Sequence, residues 1–288
     1  MAVTYLITGS NGQLGREWIA WLEGQKISYK GFSSQELDIT DHASVEKVIA
    51  SVAPVYVINC AAYTKVDQAE DDFEMARKVN GEGVKNLAGA CAENRVKLVN
   101  YSTDYVFAGK DADKKKFPRG YPEITPRNPL NKYGQSKAEG EQFLEASNCD
   151  WLNIRVAWLC GAYGGNFVKT MLKLGAERDE LKVVDDQIGS PTFTADVVAT
   201  THDLLAKGAK GHVHVTSKGL ISWYDLAKAA FEEAGVTVRV EPVHSEAFPT
   251  PAPRPKFSKL STLTLEEEFG IKPTDWRKGL KKLIAQFN

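Results

Sequence analysis

Along the first 160 residues, apolar and polar positions switch back and forth between two periods. Short apolar, β-branched runs predict strands at Val3–Thr8, Ile27–Phe32, Val55–Cys60, Lys97–Tyr101 and Trp151–Val156. Helical spacing fills the gaps. It predicts a helix through Trp18, Ile19 and Leu22, one bearing Val45, Val48 and Ile49 behind a cap at Asp41 or Thr40, one from about Asp72 to Asn94, and one opening at Asn131-Lys132-Tyr133. Strand and helix in regular alternation predict an α/β chain with a doubly wound parallel sheet. Residues 108–131 are polar and broken by Pro118, Pro122, Pro126 and Pro129, which predicts a surface loop with Lys114, Lys115 and Lys116 in solvent.

Past Val156 the alternation breaks. A glycine and aromatic stretch from Trp158 to Phe167 leads into a helix through Val168, Met171 and Leu172. A polar loop, Val183–Thr192, precedes a helix from about Ala195 to Leu205, and a short strand, His212–Val215, is expected to rejoin the sheet. The remainder reads as helical apart from the proline-rich connection Glu241–Lys256. The domain reading is therefore a unit at 1–157 to which 192–216 returns, with 158–191 and 217–288 as a smaller second unit.

The first strand ends in Gly9-Ser10-Asn11-Gly12-Gln13-Leu14-Gly15. Glycines at a first strand-to-helix turn let the backbone turn tightly and approach a pyrophosphate, and the helix start offers amide donors to it. The spacing is G-x-x-G-x-x-G and not G-x-G-x-x-G, but its position predicts a Rossmann-like unit that seats a dinucleotide on Gly9, Asn11, Gly12, Gln13 and Leu14. The second strand runs into Ser33 and Ser34 where an NAD-selective chain carries an acid. That favours NADPH, with NADH also usable. Asp38, beside Ile39, is read either as a partner of the adenine edge or as a turn residue.

Small residues at the end of the third strand make Ala61, Ala62 and Tyr63 candidate cofactor walls, with Thr64, Val66 and Asp67 reaching towards a substrate. Asp67 and Glu70 are equally well read as helix N-terminal acids. Asn80 inside a helical pattern either braces the backbone near Lys137 or faces solvent. The fourth strand ends in Ser102-Thr103-Asp104-Tyr105, whose hydroxyls sit where a carbonyl oxygen would accept their hydrogen bonds. Tyr133 and Lys137, four apart, share one helix face. An ammonium beside a phenol favours the phenolate and lowers a pKa that is ordinarily about 10, giving acid and base chemistry without histidine. Arg254, set between Pro253 and Pro255, suits a fixed contact to phosphate.

Composition narrows the partners. Across 288 residues the apolar share is 43%, the charged share 25% and the formal net charge -1, which gives no reason to expect nucleic acid or an anionic membrane. Cys60, Cys91, Cys149 and Cys160 are widely spaced and lack zinc-site spacing, as expected of reduced thiols in a cytoplasmic protein. Met1 runs into the first strand without a leader-like pattern, and no apolar run reaches the roughly 20 residues of a spanning helix.

With Gly9, Gly12, Gly15, Thr103, Tyr133 and Lys137 in order, the chain resembles an extended short-chain dehydrogenase/reductase. Asn59-Cys60-Ala61-Ala62-Tyr63-Thr64 with Val66-Asp67 and Glu70, Ser102–Phe107, Asn166-Phe167 with Thr170-Met171, Asp186-Gln187 with Gly189–Thr192, and Arg254-Pro255 with Ser258 are similar to the dTDP-4-dehydrorhamnose reductase branch. The resemblance implies NAD(P)H-dependent reduction of the C4 keto group of a dTDP-sugar. Tyr133 would be the proton donor, Lys137 would hold the nicotinamide ribose, and Thr103 would orient the carbonyl, with Asp104, Tyr105 and Trp158 on the substrate side. Ala108, a longer loop from Phe107 to Asn131, and Cys160 depart from the pattern. Glu17 matches one position of a magnesium site found at the dimer interface of some relatives, so metal stays open, as does the choice between monomer and homodimer. The resemblance also covers two rivals: another nucleotide-sugar reductase or epimerase, and a non-catalytic NADP-binding regulatory subunit.

Overall fold

The computed structural model describes residues 3–287; Met1 and Ala2, where the leader was looked for, lie outside them. Six strands build one parallel sheet: β1 Tyr5–Thr8, β2 Tyr29–Phe32, β3 Tyr56–Asn59, β4 Lys97–Thr103, β5 Trp151–Val156 and β6 Gly211–His214. Their order is β6-β5-β4-β3-β1-β2. The chain leaves β1 for β2 on one side and returns to β3 on the other, which opens a crevice at the carboxyl ends of β1 and β3. Side chains of β1 alternate between two cores. Ile7 packs with Trp18, Leu22, Val198 and Leu204, and Leu6 with Val45, Ile49, Leu87 and Leu98. Each such fully buried aliphatic stabilises the fold by about 1.5–3 kcal/mol.

One polar row crosses this apolar sheet. Thr8, Asn59, Asn100, Asn153 and His212 are register partners on neighbouring strands. Thr8 Oγ1 donates to Asn59 Oδ1 (2.7 Å), Asn59 Nδ2 to Asn100 Oδ1 (2.8 Å), and Asn100 Nδ2 to Asn153 Oδ1 (2.7 Å). Asn153 Nδ2 then donates to Glu141 Oε1 at 3.1 Å and lies 3.0 Å from His212 Nδ1. With both Asn153 amide hydrogens so used, His212 Nδ1 is the acceptor, and its Nε2 carries the proton towards Glu145 Oε1 at 2.8 Å.

The helix Lys132–Glu145 begins at Asn131, whose side chain accepts the Gly134 amide at 2.8 Å. Glu70 Oε1 accepts the Lys132 amide at 2.9 Å, which anchors the helix start to the segment after β3. Near its other end Glu141 meets Arg155 of β5 in a two-pronged pair, Nε to Oε1 at 2.8 Å and Nη2 to Oε2 at 2.7 Å, with both side chains buried.

Three elements differ from the sequence expectation. The helix of Asp72–Asn94 is Phe73–Arg77 and Gly83–Asn94 joined by a π turn, Lys78–Glu82, that turns the buried Asn80 inward. The proline-rich 108–131 segment is more than a surface loop. Tyr121 stacks on Phe107 at 4.6 Å and bridges to Leu260, so its aromatics anchor what its prolines break. Glu180–Val184, which runs into the expected polar loop, and Arg239–Val243, which straddles the expected helical stretch and the proline-rich connection, pair as parallel strands. Leu181 and Val183 are buried there while Glu180 and Lys182 face water, an alternation too short to stand out among so many charges.

Candidate active site

At the β1–β3 crevice Gly9 has φ +60°, and a Cβ there would come within 2.7 Å of the Ala61 amide nitrogen. A Cβ on Gly15 would run into the Gly9 carbonyl. Side chains would therefore fill the turn, which leaves the amides that start the helix Gln13–Gln25 open towards the cavity, with no side chain capping them. That arrangement fits a dinucleotide pyrophosphate.

A cavity of about 610 Å³ runs from this turn across the ends of β3, β4 and β5. It gathers Gly12, Gln13, Leu14, Ala61, Ala62, Thr64, Val66, Thr103, Asp104, Tyr105, Tyr133, Lys137 and Trp158 from the sequence-predicted set. Lys137 is buried, and its Nζ donates to the Tyr101 carbonyl at 2.6 Å. Burial lowers its pKa to about 8, against the pull of the Glu141 carboxylate. Burial also governs Tyr133, pushing the phenol up to about 12, with the Asp104 carboxylate acting in the same direction and the Thr103 hydroxyl opposing it. The expected lowering of Tyr133 by Lys137 is thus reversed, because desolvation is the largest influence on the phenol. The phenol holds its proton at neutral pH, as a donor must.

The remaining predicted residues are not part of the cavity lining. Asn80 Oδ1 accepts the Tyr63 amide (2.9 Å), and its Nδ2 donates to the Tyr63 carbonyl (3.0 Å) and to Ser136 Oγ (2.9 Å). Asn80 is buried and does not face solvent; the backbone it braces is that of Tyr63, and its tie towards Lys137 runs through the Ser136 hydroxyl. Asn80→Ala would strand these groups and is expected to cost about 1–3 kcal/mol in urea unfolding; a loss below half a kilocalorie, on that same ~1 kcal/mol scale, would show the brace to be dispensable. Asn11 is exposed on the glycine turn. Ser33 donates both its amide and its hydroxyl to Glu36 Oε2, at 2.8 and 2.7 Å. Asp38 Oδ1 accepts the Thr40 amide at 2.9 Å, a turn contact, while Ile39 is buried in the core. Asp67 stands at the N-terminal end of the short 3-10 turn Gln68–Glu70 without capping it through its side chain, and it does not line this cavity. It accepts from Arg254 Nη2 at 2.8 Å and from the Ala252 amide at 3.2 Å.

Trp158 has φ +50°, a backbone state disfavoured for a bulky residue. Its ring stacks on Trp223 with centroids 3.6 Å apart and 13° between planes. Gly189 gives the ring room, since a Cβ there would lie 2.7 Å from Trp158 Cε2. Trp223 went unpredicted. Ser222-x-x-Asp225, which forms a capping box, was the sequence signal that set Trp223 at the first position of a helix. Trp223 and Phe167 also line a second cavity of about 920 Å³, which carries Arg178, Lys182, Arg254 and Lys256. The two cavities share a wall.

For the magnesium question, Glu17 is buried and accepts from Thr194 Oγ1 at 2.7 Å. Among the described residues, Asp186, His244 and Glu246 bring ligand atoms within 4.8 Å of one another. Lys256 already lies 3.3 Å from Asp186 and 3.7 Å from Glu246, so that group has its cation in the chain itself.

A family model described as the RmlD substrate binding domain matches residues 3–288. The chain belongs to this family. Its relatives within and around the RmlD family include the dTDP-4-dehydrorhamnose reductase of Aggregatibacter actinomycetemcomitans, 39% identical over 293 residues, 97% of this chain and 98% of that one. The dTDP-4-keto-6-deoxy-D-glucose reductase of Streptomyces niveus is 38% identical over 262 residues, 90% of this chain and 89% of that one. Among solved structures, dTDP-4-dehydrorhamnose reductase from Bacillus anthracis in complex with NADP superposes with a TM-score of 0.94 at 40% identity, covering 99% of this chain and all of that one (100%). The Rossmann-like fold read from the sequence is the fold of that RmlD relative. No helix among the described residues is long and apolar enough to cross a membrane.

Proposed function

We propose that the chain reduces the C4 keto group of dTDP-4-dehydro-β-L-rhamnose to give dTDP-β-L-rhamnose, with NADPH as reductant and NADH as a usable substitute. The observation that carries this is the meeting of Thr103, Tyr133 and Lys137 in one cavity with the glycine turn at its far end. When bound, NADPH supplies the hydride. Gly12, Gln13 and Leu14 would hold its pyrophosphate, with Ala61, Ala62 and Tyr63 along its wall side, and Lys137 would hold the nicotinamide ribose. Tyr133 delivers its phenolic proton to the C4 oxygen as charge develops there, and Thr103 donates a hydrogen bond to that oxygen.

The second cavity suits the nucleotide. Its four cations can meet a pyrophosphate, and Arg254 is held in place by Asp67 with further N–H groups to offer. The Trp158 and Trp223 stack lies at the junction, where the sugar ring would pass. In this reading 1–157 with 192–216 forms the cofactor unit, and 158–191 with 217–288 the substrate unit, in a cytoplasmic enzyme whose four thiols are unpaired.

The test is NADPH and NADH oxidation with enzymatically generated dTDP-4-dehydrorhamnose, compared with UDP and GDP keto-sugars. Preference for the dTDP substrate supports the reading, and no oxidation with any of them refutes it. Lys137→Met is expected to weaken NADPH binding about tenfold or more, the size of one charge-assisted hydrogen bond, and to lower kcat as well. Wild-type values for both would remove Lys137 from the site.

A further inference from the structure

The Thr103 hydroxyl has one hydrogen and two lone pairs. Its hydrogen is donated to Asp104 Oδ1 at 3.1 Å, and one lone pair accepts the Tyr105 amide at 3.2 Å. The hydroxyl also faces the Tyr133 phenol. An ionised carboxylate only accepts, so an anionic Asp104 holds the Thr103 hydrogen on itself. Thr103 is then left with a lone pair for the Tyr133 hydroxyl. Both hydrogens needed at the substrate oxygen are turned away from it.

We propose that Asp104 is a positioning residue whose proton sets the direction of the Thr103 hydrogen bond and thereby arms the site. With its carboxyl protonated, Asp104 donates to Thr103 Oγ. The Thr103 hydrogen then turns to the C4 oxygen of the substrate, the lone pair offered to Tyr133 is occupied, and the phenolic hydrogen turns to the same oxygen. The proton of Asp104 stays on Asp104 throughout, and the proton consumed comes from Tyr133.

The surroundings favour the neutral carboxyl. Asp104 is 4% exposed, and its Oδ2 lies outside hydrogen-bonding geometry to any described group. Tyr105 and Tyr133 face it from its own loop and from the helix Lys132–Glu145, Tyr121 from the 108–131 segment, and Ser258 from the C-terminal stretch. None of these is a cation. Lys137 lines the same cavity, and Arg254 with Asp67 stands beyond Tyr105. Burial raises the Asp104 pKa to about 7, against the smaller pull of Ser258 and Thr103.

The inference rests on the proposed reduction, and its test has an arm that does not. In the cofactor-free protein, the Asp104 side-chain carboxyl is followed by ¹³C NMR across pH, with Asp104→Asn assigning the signal. A midpoint near neutrality is expected; titration below about pH 5, the ordinary range, overturns the proposal. In turnover, wild-type kcat should fall about tenfold per pH unit above that midpoint. Asp104→Asn offers Thr103 a donor at every pH. It should lose this midpoint, retain only the later fall from Lys137, and exceed wild type by at least about tenfold at pH 9. An identical midpoint in both proteins overturns the proposal, as does an Asp104→Asn protein inactive at every pH, which would make the carboxyl itself a reacting group. If the wild-type chain reduces no keto-sugar, the proposed function falls, and the NMR midpoint still decides Asp104.

Discussion

Tyr133→Phe is expected to lower kcat by about 10²–10⁴-fold, the usual worth of a positioned general acid, while NADPH affinity stays within about twofold. The substitution removes one hydroxyl and keeps the ring. That ring meets Tyr105 edge-on with centroids 5.5 Å apart, so the wall of the cavity keeps its shape. The phenol's raised pKa keeps it protonated over the whole physiological range. Steady-state rates with the keto-sugar and fluorescence titration with NADPH separate the two quantities. A variant within about threefold of wild-type kcat would assign the proton to another group.

Glu141→Ala should be the most damaging change to stability. It leaves the Arg155 guanidinium, 1% exposed, without its partner, at a cost of about 3–5 kcal/mol in urea unfolding. A loss below about 1 kcal/mol would mean that water or Glu123 takes over the charge. The same pair sets an acid limit. Burial alone would raise the Glu141 pKa, but the hydrogen bonds and charge of Arg155 outweigh it and hold the carboxyl at about 2. A folded pKa below the unfolded value of about 4.3 contributes stability that is complete above pH 4.3 and is lost as pH falls towards about 2. Wild type should weaken across that window, and Glu141→Ala should show a shallower acid limb.

Much of this was legible in the chain. The central strands were found because each is a short apolar run closed by small residues; Tyr133, Lys137 and Thr103 stand out because their types and spacing carry chemistry, and the fold gathers them in one cavity. The paired strands Glu180–Val184 and Arg239–Val243 were not, since their inward residues alternate with charges and their partner is more than fifty residues away (239 against 180). Partnership is what the sequence hid elsewhere too. Asp67 and Arg254 are 187 positions apart and each looked complete alone. Ser33, placed by the sequence where an NAD-selective chain carries an acid, folds back on Glu36 three residues on. Even the sign of the Tyr133 shift depended on how much water the fold removes, which no local spacing reports.

The asparagine row across the sheet has a consequence for how this chain can change over time. Every amide in it donates the same way, towards Glu141, because the terminal carboxylate can only accept. No member can reverse without its neighbours reversing. An aspartate at position 100 would face Asn153 Oδ1 with an acceptor against an acceptor, and a leucine would strand a donor on one side and an acceptor on the other. The row is therefore expected to change as a block. In related chains Asn59, Asn100 and Asn153 should be kept together or replaced together, and a chain that has lost one should have rebuilt the Arg155 and Glu141 pairing as well.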